Sequence, residues 1–282
     1  MPGIVKNKRS ISVGKIIVYI ILATWATTTI YPFIWVIINA FKSSTEVVRN
    51  SFSLPEVFTL KNFTNAFSNQ NILQSYKNSL IISGTVTVAV MVLATMIAFA
   101  LTRYQFRFKT ALLGLLSASL MIPVFSTIIP VYKMMSGLGW ISTYQAVILP
   151  QIAGNLSFAA IVMMGFLRGL PLEMEEAAYM EGAGVAKVFT RIIVPLCRPS
   201  LATVAIFCFL WSYNDLFTQK ILISREKMFP ISNLLEHISS KYGTDYGLMA
   251  ASVTLIVIPV LIVYIFLQKN IVKGLTAGAI KG

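Results

Sequence analysis

Residues 168–200 read RGLPLEMEEAAYMEGAGVAKVFTRIIVPLCRPS, a polar island between two long apolar stretches. The island holds four of the chain's ten acidic residues: Glu173, Glu175, Glu176 and Glu181. A chain this poor in carboxylates has reason to gather them only where a segment meets something outside lipid. Partner docking is therefore expected here. Around the island, the 282 residues are 56% hydrophobic and 12% charged, with a mean hydropathy of +0.76. That is too much apolar surface for one water-soluble core, so lipid must solvate most of the chain.

Six stretches are long enough to cross a hydrocarbon core of roughly 30 Å at about 1.5 Å per residue. They run over 16–40, 80–102, 111–132, 146–167, 201–223 and 248–267. The first is too long for the apolar region of a secretory signal and lacks a small-residue cleavage pattern, so it is expected to stay as a membrane helix. The expected class is an all-α integral membrane protein with six transmembrane helices. The chain divides into a cytoplasmic N-terminal segment 1–15, a six-helix domain 16–268 and a cytoplasmic tail 269–282. Within the domain lie an outer segment 42–77 and the cytoplasmic segment 168–200.

Orientation follows from Lys and Arg. With the N-terminus inside, the inner side carries Lys6, Lys8, Arg9, Lys15, Arg103, Arg107, Lys109, Arg168, Lys187, Arg191, Arg198, Lys269, Lys273 and Lys281, fourteen of the chain's 23. The positive-inside rule then puts both termini and the island in the cytoplasm. The same clustering explains the net charge of +13 without nucleic acid, since the basic residues form no continuous stripe.

Within the island, Pro171 suits a first helical turn, and Glu173, Glu175 and Glu176 lie near the positive end of the dipole that follows. Ala177 and Ala178 leave room for another surface to approach the backbone. Gly182 and Gly184 end or turn the helix, an apolar segment 185–194 follows, and Pro195 and Pro199 lead into the fifth span. The pattern is helix, glycine break, helix, proline exit. Outside, Leu60, Phe63, Ala66 and Phe67 fall at helical spacing, for a short helix lying on the membrane, under a partner or against its own domain. Pro32, Pro123, Pro130, Pro150 and Pro259 fall within spans and either kink them or serve plain packing.

Asp215, at the outer part of the fifth span, would cost about 2.5–3.5 kcal/mol near mid-bilayer. With Trp211, Tyr213 and Asn214 it forms a candidate polar path, and a hydrated interfacial position is the alternative. Asn155 in the fourth span and Asn39 at the end of the first are further polar positions. Cys197 and Cys208 suggest neither disulfide nor metal site, and His237 has no ligand cluster around it. No phosphate-cradling loop or nucleophile–histidine–acid set is present, so neither ATP chemistry nor hydrolysis is expected in this chain.

Glu176-Ala177-Ala178, Glu181-Gly182-Ala183 and Ile193-Val194-Pro195 together resemble the EAA signature of bacterial ABC importer permeases. Glu181 stands where the sugar-transporting branch usually has Asp. The stretches 209–215 (FLWSYND), 60–63 (LKNF), 78–80 (NSL) and 273–282 (KGLTAGAIKG) extend the resemblance to the smaller, six-span permease of the maltose-transporter type. That resemblance implies a type I ABC importer (MetI-like) fold in a bacterial cell membrane. It implies docking of an ATPase through Glu176, Ala177, Ala178, Glu181 and Gly182, and ATPase contact by the tail through Gly274, Thr276, Gly278 and Lys281. The implied partners are two ATP-binding subunits that carry the ATP and Mg, a second and different permease, and an extracytoplasmic sugar-binding protein. This chain would have no cofactor and no catalytic centre. The competing expectation is a proton-coupled carrier that titrates Asp215.

Overall fold

The computed structural model describes residues 13–69, 71–234, 236 and 245–279, and the described residues contain helices and no strand. In chain order the α-helices described from end to end are α1 (Val13–Ala40), α2 (Ser44–Arg49), α3 (Lys61–Asn69), α4 (Ile72–Arg103), α5 (Lys109–Ser119), α6 (Val124–Gly137), α7 (Tyr144–Leu167), α8 (Glu173–Met180), α9 (Val185–Val188), α10 (Val194–Leu196), α11 (Arg198–Tyr213), α12 (Leu216–Leu222) and α13 (Tyr246–Ala279). The chain forms two compact units, Met1–Asn69 with Ser239–Leu255, and Gln70–Ile238 with Ile256–Gly282.

In the second unit, α4 packs on α7 and α11. One face of α4 is closed: Ser79, Ile82, Ser83, Val86, Val90, Ala94 and Ala98 are buried. The other carries Leu80, Val88, Val92 and Met96, all more than half exposed, as a helix facing lipid on one side requires. Small residues on the closed face let the α7 backbone approach, where Ala146, Val147, Ala159 and Ala160 are also buried. Hydroxyls in this apolar setting are satisfied along their own helix: Thr87 donates to the Ser83 carbonyl, Thr95 to Met91 and Thr102 to Ala98. Asn78 is fully buried and clamps a distant loop, donating to the carbonyls of Lys227 (3.0 Å) and Phe229 (3.1 Å) and accepting from Tyr144 (2.8 Å).

All six expected stretches fall on helices, but two are not single spans. α1, α4 and α7 are each long and apolar enough to cross a membrane. The third stretch is α5 and α6, bent by 104° at a break that contains Pro123. Proline lacks the amide that would bridge the break and disfavours a helical residue before it. Pro32, Pro130, Pro150 and Pro259 stand inside continuous helices. The fifth stretch stops at Tyr213, ten residues short of its expected end, because Asp215 caps a separate helix, α12. Its entry is also bent, by 75°, between residues 185–196 and α11. The sixth stretch lies in α13.

In the first unit α1 is exposed along most of its length, and only Asn39 and Ala40 at its end are buried. Asn62 of α3 donates to the carbonyls of Ala40 (2.9 Å) and Lys42 (2.7 Å), and Ala66 is fully buried. Packing within its own unit therefore orients this outer helix, while Leu60 and Phe67 stay exposed at 61% and 52%. A Cβ at Gly247 would stand 2.6 Å from the Lys42 carbonyl oxygen, so only glycine fits there. Lys42 itself is fully buried, with its ammonium donating to the Asn50 carbonyl at 2.9 Å.

Candidate functional site

The island folds as a short helix, a sharp stop and a second helical run. Its first helix, α8, begins at Glu173, with Glu173, Glu175 and Glu176 in the first turn at the positive end of the dipole. It ends in a Schellman turn: the Ala183 amide donates to the Ala178 carbonyl (2.9 Å) and the Gly182 amide to Tyr179 (3.0 Å), with Gly182 at φ +80°. The left-handed conformation is what glycine supplies here. α9 then passes into a π turn over Phe189–Ile193 and into α10, which contains Pro195. π turns inside helical runs recur at functional sites.

Glu176, Ala177, Glu181 and Gly182 are exposed on this knob, and Ala178 is half-buried against the core. Beside the carboxylates stand Leu172, Met174, Val185 and Met180, exposed at 51%, 46%, 50% and 89%. An apolar patch edged with acids, on a helix with a fixed end, has the composition of a docking surface. Glu175 takes no part in it. Its side chain turns inward, 6% exposed, and accepts from Arg103 Nε at the end of α4 at 2.7 Å. Nearby, the Tyr179 phenol is raised above its usual pKa, first by burial and then by the neighbouring Tyr104.

The candidate polar path resolves into separate groups. Asp215 Oδ1 accepts from the Thr218 amide (3.0 Å) as the cap of α12, and its Oδ2 accepts from Gln151 Nε2 (2.9 Å). Gln151 Oε1 accepts in turn from Ser212 Oγ (2.5 Å), and its backbone carbonyl accepts from Asn155 (2.7 Å). Gln219 extends the network by donating to the Ser212 carbonyl and accepting from Ser232. Trp211 belongs elsewhere, edge-on to Phe158 (4.7 Å between centroids) and tilted on Phe207 (5.5 Å), with 46% of its surface exposed. Tyr213 is buried and stacked on Phe209, and Asn214 is exposed and bonded to the Leu210 carbonyl of its own helix. The fold thus joins Asp215 with Asn155 through Gln151, and leaves Trp211, Tyr213 and Asn214 apart.

Residues 91–277 match the family described as the binding-protein-dependent transport system inner membrane component. The chain belongs to this family. It is a transport permease subunit and not itself an enzyme. Among its relatives are the diacetylchitobiose uptake system permease protein NgcG of Streptomyces coelicolor, 32% identical over 93% of this chain and 87% of the relative. Another is the arabinooligosaccharides transport system permease protein AraQ of Halalkalibacterium halodurans, 31% identical over 91% and 93%. Among solved structures, the chain superposes on a bacterial ABC transporter involved in the import of alginate with TM-score 0.80, at 21% identity over 95% of this chain and 99% of that one. This second likeness concerns the fold alone.

Sequence reasoning about the permease missed Arg103 as a partner of the knob, because its charge was already absorbed by topology. It also missed Gln151, whose only signal is an amide in an apolar span. In the tail, Gly274, Thr276 and Gly278 lie on the α13 helix, whereas Lys281, like His237, lies outside the described residues. Asp215→Ala removes a helix cap and strands the Gln151 amide, and should lower stability by about 2–4 kcal/mol. Asp215→Asn, which keeps a capping oxygen, should lose less. Thermal unfolding in detergent reads the difference, and equal losses would show that the cap is immaterial.

Proposed function

We propose that this permease is a transmembrane subunit of an ATP-driven importer of sugars or oligosaccharides, with α8 as the part that receives the motion of an ATPase. Two ATP-binding subunits carry the ATP and Mg, a second and different permease completes the pathway, and an extracytoplasmic binding protein delivers the sugar. The chain crosses the bacterial cell membrane six times with both termini inside. Residues 1–15, the island and the tail 269–282 face the cytoplasm. The observation that carries this reading is the exposed face of Glu176, Ala177, Glu181 and Gly182 on a helix whose end is fixed by a Schellman turn. A docked ATPase shifts the bundle between its inward-open and outward-open states only by binding one of them more tightly, which needs a firmly held contact.

The sugar class rests on the relatives, whose names specify diacetylchitobiose, trehalose, arabinooligosaccharides and galactooligosaccharides. For the path, Asp215, Asn155 and the exposed Trp211 and Asn214 are the proposed polar and aromatic contacts. Tyr213 has the weakest claim among them because it is buried. Gly274, Thr276, Gly278 and Lys281 are proposed as the tail's contact with the ATPases.

Proteoliposomes containing the assembled complex test the reading with labelled chito-, arabino- and galacto-oligosaccharides and trehalose. Uptake of at least one should require ATP and continue when a protonophore collapses the proton gradient. Uptake driven by the gradient without ATP would replace this proposal with a carrier that titrates Asp215.

A further inference from the structure

The contact between Arg103 and Glu175 joins two parts of the permease that lie 72 residues apart in sequence. Both side chains are more than nine-tenths buried, at 9% and 6% exposure, and Arg103 Nε meets Glu175 Oε1 at 2.7 Å. Arg103 is the last residue of α4, the helix that packs on both α7 and α11. Glu175 is on the inward side of α8, opposite the exposed carboxylates. A further contact binds the same end of α4 to the island: Phe99 lies 5.4 Å from Phe189 at the start of the π turn.

A buried ion pair is a poor device for stability alone, because desolvation offsets most of the attraction and apolar side chains of similar volume hold a surface as well. What apolar contacts lack is direction. They let one surface slide over another, whereas a short charge-assisted hydrogen bond fixes both position and angle. The pair is also made by one nitrogen alone: Arg103 Nη2 is buried without a hydrogen-bond partner among the described residues.

Resting on the reading of α8 as the ATPase-docking helix, we infer that Arg103 and Glu175 are positioning residues that make α8 and α4 one rigid body. Displacement of the knob then enters the bundle core directly through α4, in addition to the chain connections that lead to α7 and α11. The motion reaches the helix at the centre of the packing first.

Spin labels on cysteines introduced at Glu173, exposed on α8, and at Val88 on the exposed face of α4 test this, since Cys197 and Cys208 are buried. In the assembled complex the label distance should be narrow and the same without nucleotide and with ATP plus vanadate. In Arg103→Met/Glu175→Leu, which keeps the volume and removes the directional bond, it should shift or broaden with nucleotide, and ATP hydrolysed per sugar imported should rise by about tenfold. A distance that changes in the unsubstituted complex, or stays constant in the double variant, overturns the inference. If the double variant does not assemble, the exchanged pair Arg103→Glu/Glu175→Arg decides. Label behaviour closer to the unsubstituted complex than that of either single reversal supports the strut, and no recovery overturns it. Failure of the docking reading shows separately, as an ATPase that still binds when Glu176 is reversed.

Discussion

A permease carrying Glu176→Lys is expected to reach the membrane folded and yet lose its hold on the ATPase by roughly 30- to 4000-fold, with ATP-driven uptake falling in step. Glu176 is exposed and its carboxylate accepts no hydrogen bond from the described residues, so its replacement breaks no internal side-chain bond. The cost falls on the partner: reversing a charge at a docked interface amounts to about 2–5 kcal/mol, and each 1.4 kcal/mol is tenfold in affinity. Gly182→Asp should act similarly through a different route. Its φ of +80° imposes about 1–2 kcal/mol of strain on any L-residue, although a Cβ there would meet nothing within 4 Å in the chain itself. Gly182→Ala carries the strain without the charge or the length, and so separates a local backbone defect from a blocked partner. Binding of the ATPase to the solubilised permease, measured beside uptake, checks all three. Normal binding and transport in Glu176→Lys would remove α8 from the mechanism.

Arg103→Ala is expected to have the largest effect on stability, about 3–5 kcal/mol, because it leaves the Glu175 carboxylate buried without its cation. For a chain of this size that corresponds to a fall of roughly 10 °C in Tm. Glu175→Gln should cost less, because the amide oxygen still accepts from the guanidinium. The contrast with Arg103→Met/Glu175→Leu is the informative one, since removing both charges together should return most of the lost stability. Thermal unfolding of the three variants in one detergent provides the comparison. Equal losses in the single and double variants would mean that packing around the pair, and not its charge, holds the end of α4 to the knob.

Much of the island was legible before any coordinates. Acids followed by small residues, then Gly182 and a proline exit, specify a helix that starts, stops and restarts, because dipole preference, left-handed glycine and the missing proline amide all act within a few residues. Which acid faces inward was not legible. Glu175 and Glu176 are neighbours in sequence but about 100° apart around a helix, and the choice between them depends on where Arg103 stands. The polar path was only partly legible for the same reason. Asp215 announced itself as a carboxylate near lipid, whereas its partner Gln151 is one amide in an apolar run.

The sequence alone determined the solvent of this protein, the helical stretches that lipid imposes and the local course of the knob, since each follows from composition or from residues within a turn or two of one another. Only the tertiary structure decided that the third and fifth stretches are bent, that Asp215 caps a helix while bonding α7, and that Glu175 belongs to the core. The last two outcomes depend on groups brought together across 64 to 72 residues. A buried polar atom takes whichever partner the packing places within hydrogen-bonding reach, and spacing along the chain carries no record of that choice.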